Sequence, residues 1–197
     1  MHWMQAISNL GNAAILLTLS VIVAAAIWRF QSRLAAAWFL AMVTVCAVAM
    51  AILKVTFAAC SQAWGTDIVS PSGHASLSAM FYGSLALVMA RQVRPWQQAL
   101  IAIAGCGLIA AVAVSRVVLR AHSPAEVVIG LSVGMAACAL FAVPYLRRPA
   151  APLNLTLLIA LSVPAILMLH NTHVHAEHVV RQIAPWLRHW IGLCTYP

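Results

Sequence analysis

Charge is what this sequence has least of. Asp, Glu, Lys and Arg make up 7% of the 197 residues, and three of them are acidic. A chain that is 64% hydrophobic has too little polar surface to cover a packed core in water, which excludes an ordinary soluble domain. No low-complexity linker or separate hydrophilic domain interrupts the apolar runs. No basic leader precedes the first run and no small-residue cleavage pattern ends it, so it is expected to be a retained helix rather than a removed signal peptide. The formal net charge is +8, but the basic residues are scattered through short loops rather than gathered into a stripe, which argues against a nucleic-acid partner.

What is present is apolar length. Crossing about 30 Å of hydrocarbon takes roughly 20 apolar residues as a helix. Six stretches qualify: Gly11 to Trp28, Leu34 to Leu53, His74 to Ala90, Gln97 to Ser115, Val127 to Leu146 and Leu153 to Leu169. The expected fold is all-α, an integral membrane bundle of six transmembrane helices forming a single domain over residues 1–197. Arg29 and Arg33, Arg91 and Arg94, and Arg147 and Arg148 fall between spans one and two, three and four, and five and six. By the positive-inside rule these loops are cytoplasmic, which puts the other two interhelical loops and both termini outside.

The two outer loops hold nearly all the remaining ionisable groups, in "KVTFAACSQAWGTDIVSPSGH" (54–74) and "SRVVLRAHSPAE" (115–126). Ionisable groups near membrane depth are costly and mark a site, so Lys54, His74, Arg116, Arg120, His122 and Glu126 form the candidate set. Fixed cations beside two histidines suit phosphate-ester chemistry. The cations and helix N-terminal amides neutralise the equatorial oxygens, one histidine attacks phosphorus, and the other protonates the leaving oxygen. "PSGH" supplies the amides: Pro71 and Ser72 start the third span, and Gly73 lets backbone N–H groups approach an anion.

These residues resemble the type 2 phosphatidic acid phosphatase superfamily, which includes membrane lipid phosphatases and soluble vanadium haloperoxidases. Its signature runs K-x6-R-P, P-S-G-H and S-R-x5-H-x3-D. The second part is matched by Pro71, Ser72, Gly73 and His74, and the third by Ser115, Arg116 and His122, with Glu126 in place of the aspartate. "GLSVG", Gly130 to Gly134, is similar to the glycines that often follow. In the first part Lys54 is present, while Ser61 and Gln62 stand where the family has arginine and proline. The motif-bearing core is therefore about 54–134. The resemblance implies that His122 is the nucleophile forming a phosphohistidine, Glu126 the carboxylate that orients it and His74 the acid for the leaving group. It implies that Lys54, Ser72, the Gly73 amide and Arg116 bind phosphate, with no metal or other cofactor. Arg120, four residues after Arg116, is expected to replace the missing guanidinium if the local backbone is helical.

Plainer readings stand beside these. Ser123, Pro124 and Glu126 also make a capping-box pattern, Lys54 can snorkel from a helix end, and Arg120 can contact headgroups. His170, His173, His175 and His178 with Glu177 are dense enough to raise metal binding, against a polar start to a tail or a lid over the active site. The tail, about 170–197, has a cationic and Trp/Ile/Leu pattern suited to the membrane interface. Cys46, Cys106 and Cys138 read as small core residues, and Cys60 and Cys194 share the outer face, where a bridge can form.

The partners expected are the bilayer and an amphiphilic phosphate, an isoprenoid diphosphate of the undecaprenyl diphosphate kind first and a phosphatidate-type lipid close behind, with the oligomeric state open. The setting expected is a bacterial inner membrane with the site on the periplasmic face. The rival functions are a lipid phosphotransferase using the same phosphohistidine and a non-catalytic, metal-handling membrane protein. The orientation has a direct test. Single cysteines introduced in the 29–33 and 91–96 loops should be shielded from an impermeant thiol reagent in intact cells, and labelling of either loop would reverse the assignment.

Overall fold

The computed structural model describes residues 2–60, 68–149 and 151–169. Among these there is no strand, and the chain forms α1 (His2–Asn9), α2 (Ala13–Phe30), α3 (Arg33–Cys60), α4 (Gly73–Ala90), α5 (Pro95–Val118), α6 (Pro124–Leu146) and α7 (Leu155–Leu169). The fold is all-α, as the apolar runs require, because helices satisfy every backbone polar group within one segment.

Each expected span centres on one of these helices, with two differences. Five stretches are long and apolar enough to cross a membrane: His2–Phe30, Arg33–Cys60, Gly73–Ala90, Pro95–Val118 and Pro124–Leu146. The helix of the sixth expected span, α7, is also apolar but has 15 residues, about 22 Å, and the chain beyond it lies outside the described residues. The other difference is at the N-terminus, where α1 precedes the span expected over Gly11 to Trp28 and belongs to the same apolar stretch. A turn at Leu10–Asn12 separates it from α2, which Asn12 caps by accepting from the Ala14 N–H at 2.8 Å.

The helices alternate in direction, so the starts of α4 and α6 and the ends of α3 and α5 share one end of the bundle. α4 is central, packed on α5 and α6 and touching α2 and α3. The main core joins α2, α3, α4 and α6, with Phe39 edge-on to Phe141 at 5.3 Å and Phe141 stacked on Tyr145 at 5.0 Å. Val45, Ile52, Ile103 and Leu140 are exposed, as lipid-facing apolar side chains are. Cys46 is buried and Cys138 half-buried, but Cys106 is exposed on α5 and is not a core residue.

The opposite end is closed by the arginine-bearing loops. Arg91 donates to the Tyr145 carbonyl in the last turn of α6 at 2.8 Å and to the Arg148 carbonyl just past the helix at 2.6 Å. Arg148 donates to Ser32 Oγ at 2.8 Å, and Tyr145 Oη to Gln31 Oε1 at 3.0 Å, which ties the α2–α3 turn to the same point. Pro144 lies inside α6 and cannot donate to the Leu140 carbonyl. The Trp38 indole of α3 donates to that carbonyl instead, at 3.1 Å.

The α4–α6 contact is the closest in the bundle's interior. A Cβ at Gly130 would collide with the Ser72 carbonyl oxygen, and one at Gly134 with that of Ser76. "GLSVG" is thus a small-xxx-small seam that lets one backbone lie against the other. Gly134→Ala should force α6 away from α4 and destabilise the protein by about 1–3 kcal/mol, read as a lowered thermal midpoint in detergent. Gly107, where a Cβ would meet nothing within 4 Å, should accept alanine without loss and serves as the control.

Candidate active site

Two short loops make the site. The first runs into α4, whose N-cap is Ser72, its hydroxyl accepting from the Ala75 N–H at 3.4 Å. The second joins α5 to α6. α5 ends in a Schellman turn: the Arg120 N–H donates to the Val117 carbonyl at 2.9 Å and the Ala121 N–H to the Arg116 carbonyl at 3.0 Å. Arg120 takes the left-handed conformation the turn needs, with φ +52°. The chain then reverses through His122 to Ser123, which caps α6 in a reciprocal box with Glu126 and leads into Pro124 at its first turn.

Glu126 is the hub. Its Oε1 accepts from the Val69 and Ser70 N–H groups at 2.9 and 2.8 Å. Its Oε2 accepts from the Ser123 N–H at 3.0 Å and faces His122 Nδ1 at 3.2 Å. The Glu126 carbonyl accepts from the Ser72 N–H at 3.0 Å. Glu126 and His122 are each 7% exposed, so the pair is held out of water. An ionised carboxylate only accepts, so the Nδ1 facing it carries the proton and Nε2 keeps its lone pair. The capping reading of Glu126 and the histidine-orienting reading thus describe one carboxylate doing both.

The other candidates gather around this pair. Lys54 falls within α3 rather than in a loop; it is buried, and Nζ donates to Ser70 Oγ at 2.9 Å. Its Cε lies 3.5 Å from where a Gly73 Cβ would be, so the lysine stem crosses the start of α4. His74 is the second residue of α4, and Arg116, His122 and Lys54 all lie near enough to bear on it electrostatically. Arg116, in the last turn of α5, donates from Nη1 to Ser8 Oγ at 2.8 Å. Lys54, Ser72, Gly73, His74, Arg116, His122 and Glu126 therefore meet at one end of the bundle.

Arg120 does not join them. Its backbone is left-handed rather than helical, its side chain is exposed, and among the described residues it makes no side-chain hydrogen bond or ion pair. Spacing of four on a helix would have put it over Arg116, but the helix ends at Val118. Ser61, Gln62, Cys194 and the His170–His178 cluster lie outside the described residues, and among those described no group of His, Cys, Asp and Glu could hold a metal ion. Three participants carried no signal in the sequence reading: the Val69 and Ser70 amides, which act through backbone, and Ser8, which precedes the first apolar run.

Glu126→Gln offers an amide N–H where the carboxylate now meets N–H donors on both oxygens. It should cost about 1–3 kcal/mol of stability and free the His122 ring, read by thermal unfolding in detergent alongside the His122 imidazole signals in an NMR spectrum.

Comparison with known proteins gives a family. The model of the PAP2 superfamily matches residues 55–150, which spans both motif loops. A Klebsiella pneumoniae protein described as an uncharacterized 22.5 kDa protein in the cps region is 31% identical over 155 residues, covering 76% of this chain and 72% of its own. No solved structure matches the chain. With the family model matched over both motif loops and a relative 31% identical over 76% of the chain, the chain belongs to the PAP2 superfamily, and membership implies phosphatase-type activity on a phosphate substrate.

Proposed function

We propose that this protein is a membrane phosphatase that removes phosphate from a lipid phosphate or an isoprenoid diphosphate, of the undecaprenyl diphosphate kind, through a phosphohistidine on His122. The observation that carries the reading is the His122–Glu126 pair at 3.2 Å, buried beside Lys54, Arg116 and the N-terminus of α4. A helix N-terminus and two cations suit the equatorial oxygens of a phosphoryl group, with Ser72, the Gly73 amide, Lys54 and Arg116 as ligands.

In the first step His122 Nε2 bonds to phosphorus while the bond to the leaving oxygen breaks, and His74 gives that oxygen its proton. Glu126 holds Nδ1–H and balances the positive charge that the ring gains. In the second step water attacks phosphorus, the P–N bond breaks, and His74 takes the water's proton, returning both histidines to their starting state. An amphiphilic substrate fits because the site lies at the end of apolar helices, so a lipid tail can stay among them while the head enters. The arginine loops all lie at the other end, which supports a site on the outer, periplasmic face.

Arg120 can act in this scheme only by turning inward onto bound substrate. Arg120→Ala should then lose about 2–4 kcal/mol of transition-state stabilisation. Wild-type kinetics in that variant would assign the residue to headgroup contact alone.

The direct test is phosphate release from purified protein, without added divalent metal, offered farnesyl diphosphate and a short-chain phosphatidate in parallel. His122→Ala should fall to background while still folding, with a lowered unfolding temperature because Glu126 Oε2 loses one of the two N–H groups facing it. His74→Ala should lose about 10²–10⁴-fold on the phosphatidate, whose leaving group is an alcohol, and less on farnesyl diphosphate and p-nitrophenyl phosphate, whose leaving groups need little protonation. Substantial release from His122→Ala would refute the assigned nucleophile, and a phosphorylated acceptor in place of free phosphate would make the protein a transferase.

A further inference from the structure

The N-terminal helix packs on α5 at the site end and reaches a residue of the site. Ser8, on the last turn of α1, is 1% exposed, and its hydroxyl accepts from Arg116 Nη1 at 2.8 Å. Three further features fix α1 there. The Tyr82 hydroxyl of α4 donates to the Leu10 carbonyl at 2.8 Å, and Asn12 caps the next helix. Gly11 sits where a Cβ would come 2.7 Å from Val112 Cγ1, 3.0 Å from Ser78 Oγ and 3.2 Å from His74 Cβ. The α1–α2 turn is therefore pressed against α4 and α5 beside His74, and it has no room to shift outward and back without breaking these contacts.

An arginine side chain has about 2 kcal/mol of rotamer entropy, and a guanidinium that must meet a phosphoryl oxygen works best when that freedom is removed beforehand. A hydroxyl acceptor does this without cancelling the charge. We propose that Ser8 is a positioning residue: it holds the Arg116 guanidinium in the orientation that receives phosphate, and α1 is the element that delivers it. This rests on the reading of Arg116 as a phosphate ligand. It adds a residue from the extreme N-terminus, outside the motifs, to the determinants of turnover.

The test compares Ser8→Ala, Arg116→Ala and the double variant in the full chain. The readouts are kcat, KM, the inhibition constant of inorganic phosphate and the unfolding temperature. Ser8→Ala should weaken inorganic phosphate and lower kcat by about 5- to 30-fold, with a smaller change in KM for farnesyl diphosphate, whose tail supplies the rest of its binding. In the Arg116→Ala background the same change should have almost no further effect, because the residue Ser8 acts through is gone. Wild-type kcat and phosphate inhibition in Ser8→Ala would overturn the proposal. So would losses that add fully to those of Arg116→Ala, since Ser8 would then act through the fold at large. Arg116→Ala with wild-type phosphate inhibition would instead refute the phosphate-ligand reading and the proposal with it. Should Ser8→Ala fail to assemble, Ser8→Cys keeps the volume with a weaker acceptor and carries the same expectations.

Discussion

The site depends on the carboxylate of Glu126. One side chain meets the backbone of the loop before α4 through Val69 and Ser70, the backbone entering α6 through Ser123, and the His122 ring. A buried carboxylate at membrane depth is tolerated only when its acceptor sites are filled, and here each oxygen has two N–H groups facing it. Two further residues of the candidate site are placed relative to it. Lys54 is oriented by the hydroxyl of Ser70, whose own amide lies on Glu126. Ser72, the cap of α4, gives its amide to the Glu126 carbonyl.

That arrangement requires α4 and α6 to start at nearly the same depth and to touch. Gly130 and Gly134 provide this by letting the Ser72 and Ser76 carbonyls approach the α6 backbone. The two motif loops are thus joined twice, by a carboxylate at the top and by a glycine seam below. Spreading the helices by the size of a methyl group would pull the Ser72 amide off the Glu126 carbonyl before it disturbed the apolar core. The seam is therefore part of the site's geometry as well as of the bundle's packing.

The parts legible in the sequence are those with a single physical solution. Apolar runs of membrane length must be helices, and polar islands such as "SPSGHAS" between them stand out because charge and hydroxyls are so scarce elsewhere. The rest needed three-dimensional neighbours. Ser8 meets Arg116 across 108 positions, and nothing local to "AISNLGN" hints at it. The spacing of Arg116 and Arg120 suggests one helical face, but the helix stops between them without the glycine that usually announces such a turn. Lys54 reads as a loop residue because the apolar run ends at Leu53, whereas α3 continues to Cys60 by packing. For Glu126 the sequence offered capping and histidine orientation as competing accounts, and only the positions of both oxygens show one carboxylate capping α6 while facing the His122 ring.

The two ends of the bundle use arginine in different ways, and the acceptor decides which. At the loop end Arg91 donates to the carbonyls of Tyr145, in the last turn of α6, and of Arg148, just past it, so its charge sits against the negative end of a dipole and closes the structure. At the site end Arg116 donates to the Ser8 hydroxyl, and Lys54 to that of Ser70. A hydroxyl fixes direction but carries little opposing charge, so each of these two bonds orients its cation without itself neutralising it. α4 spans both designs, with Ser72 and His74 at its start and Arg91 just past its end. Clamped by Arg91 to the end of α6 and by Ser72 to its beginning, α4 cannot slide along α6, and the amides at its N-terminus keep a fixed position relative to His122.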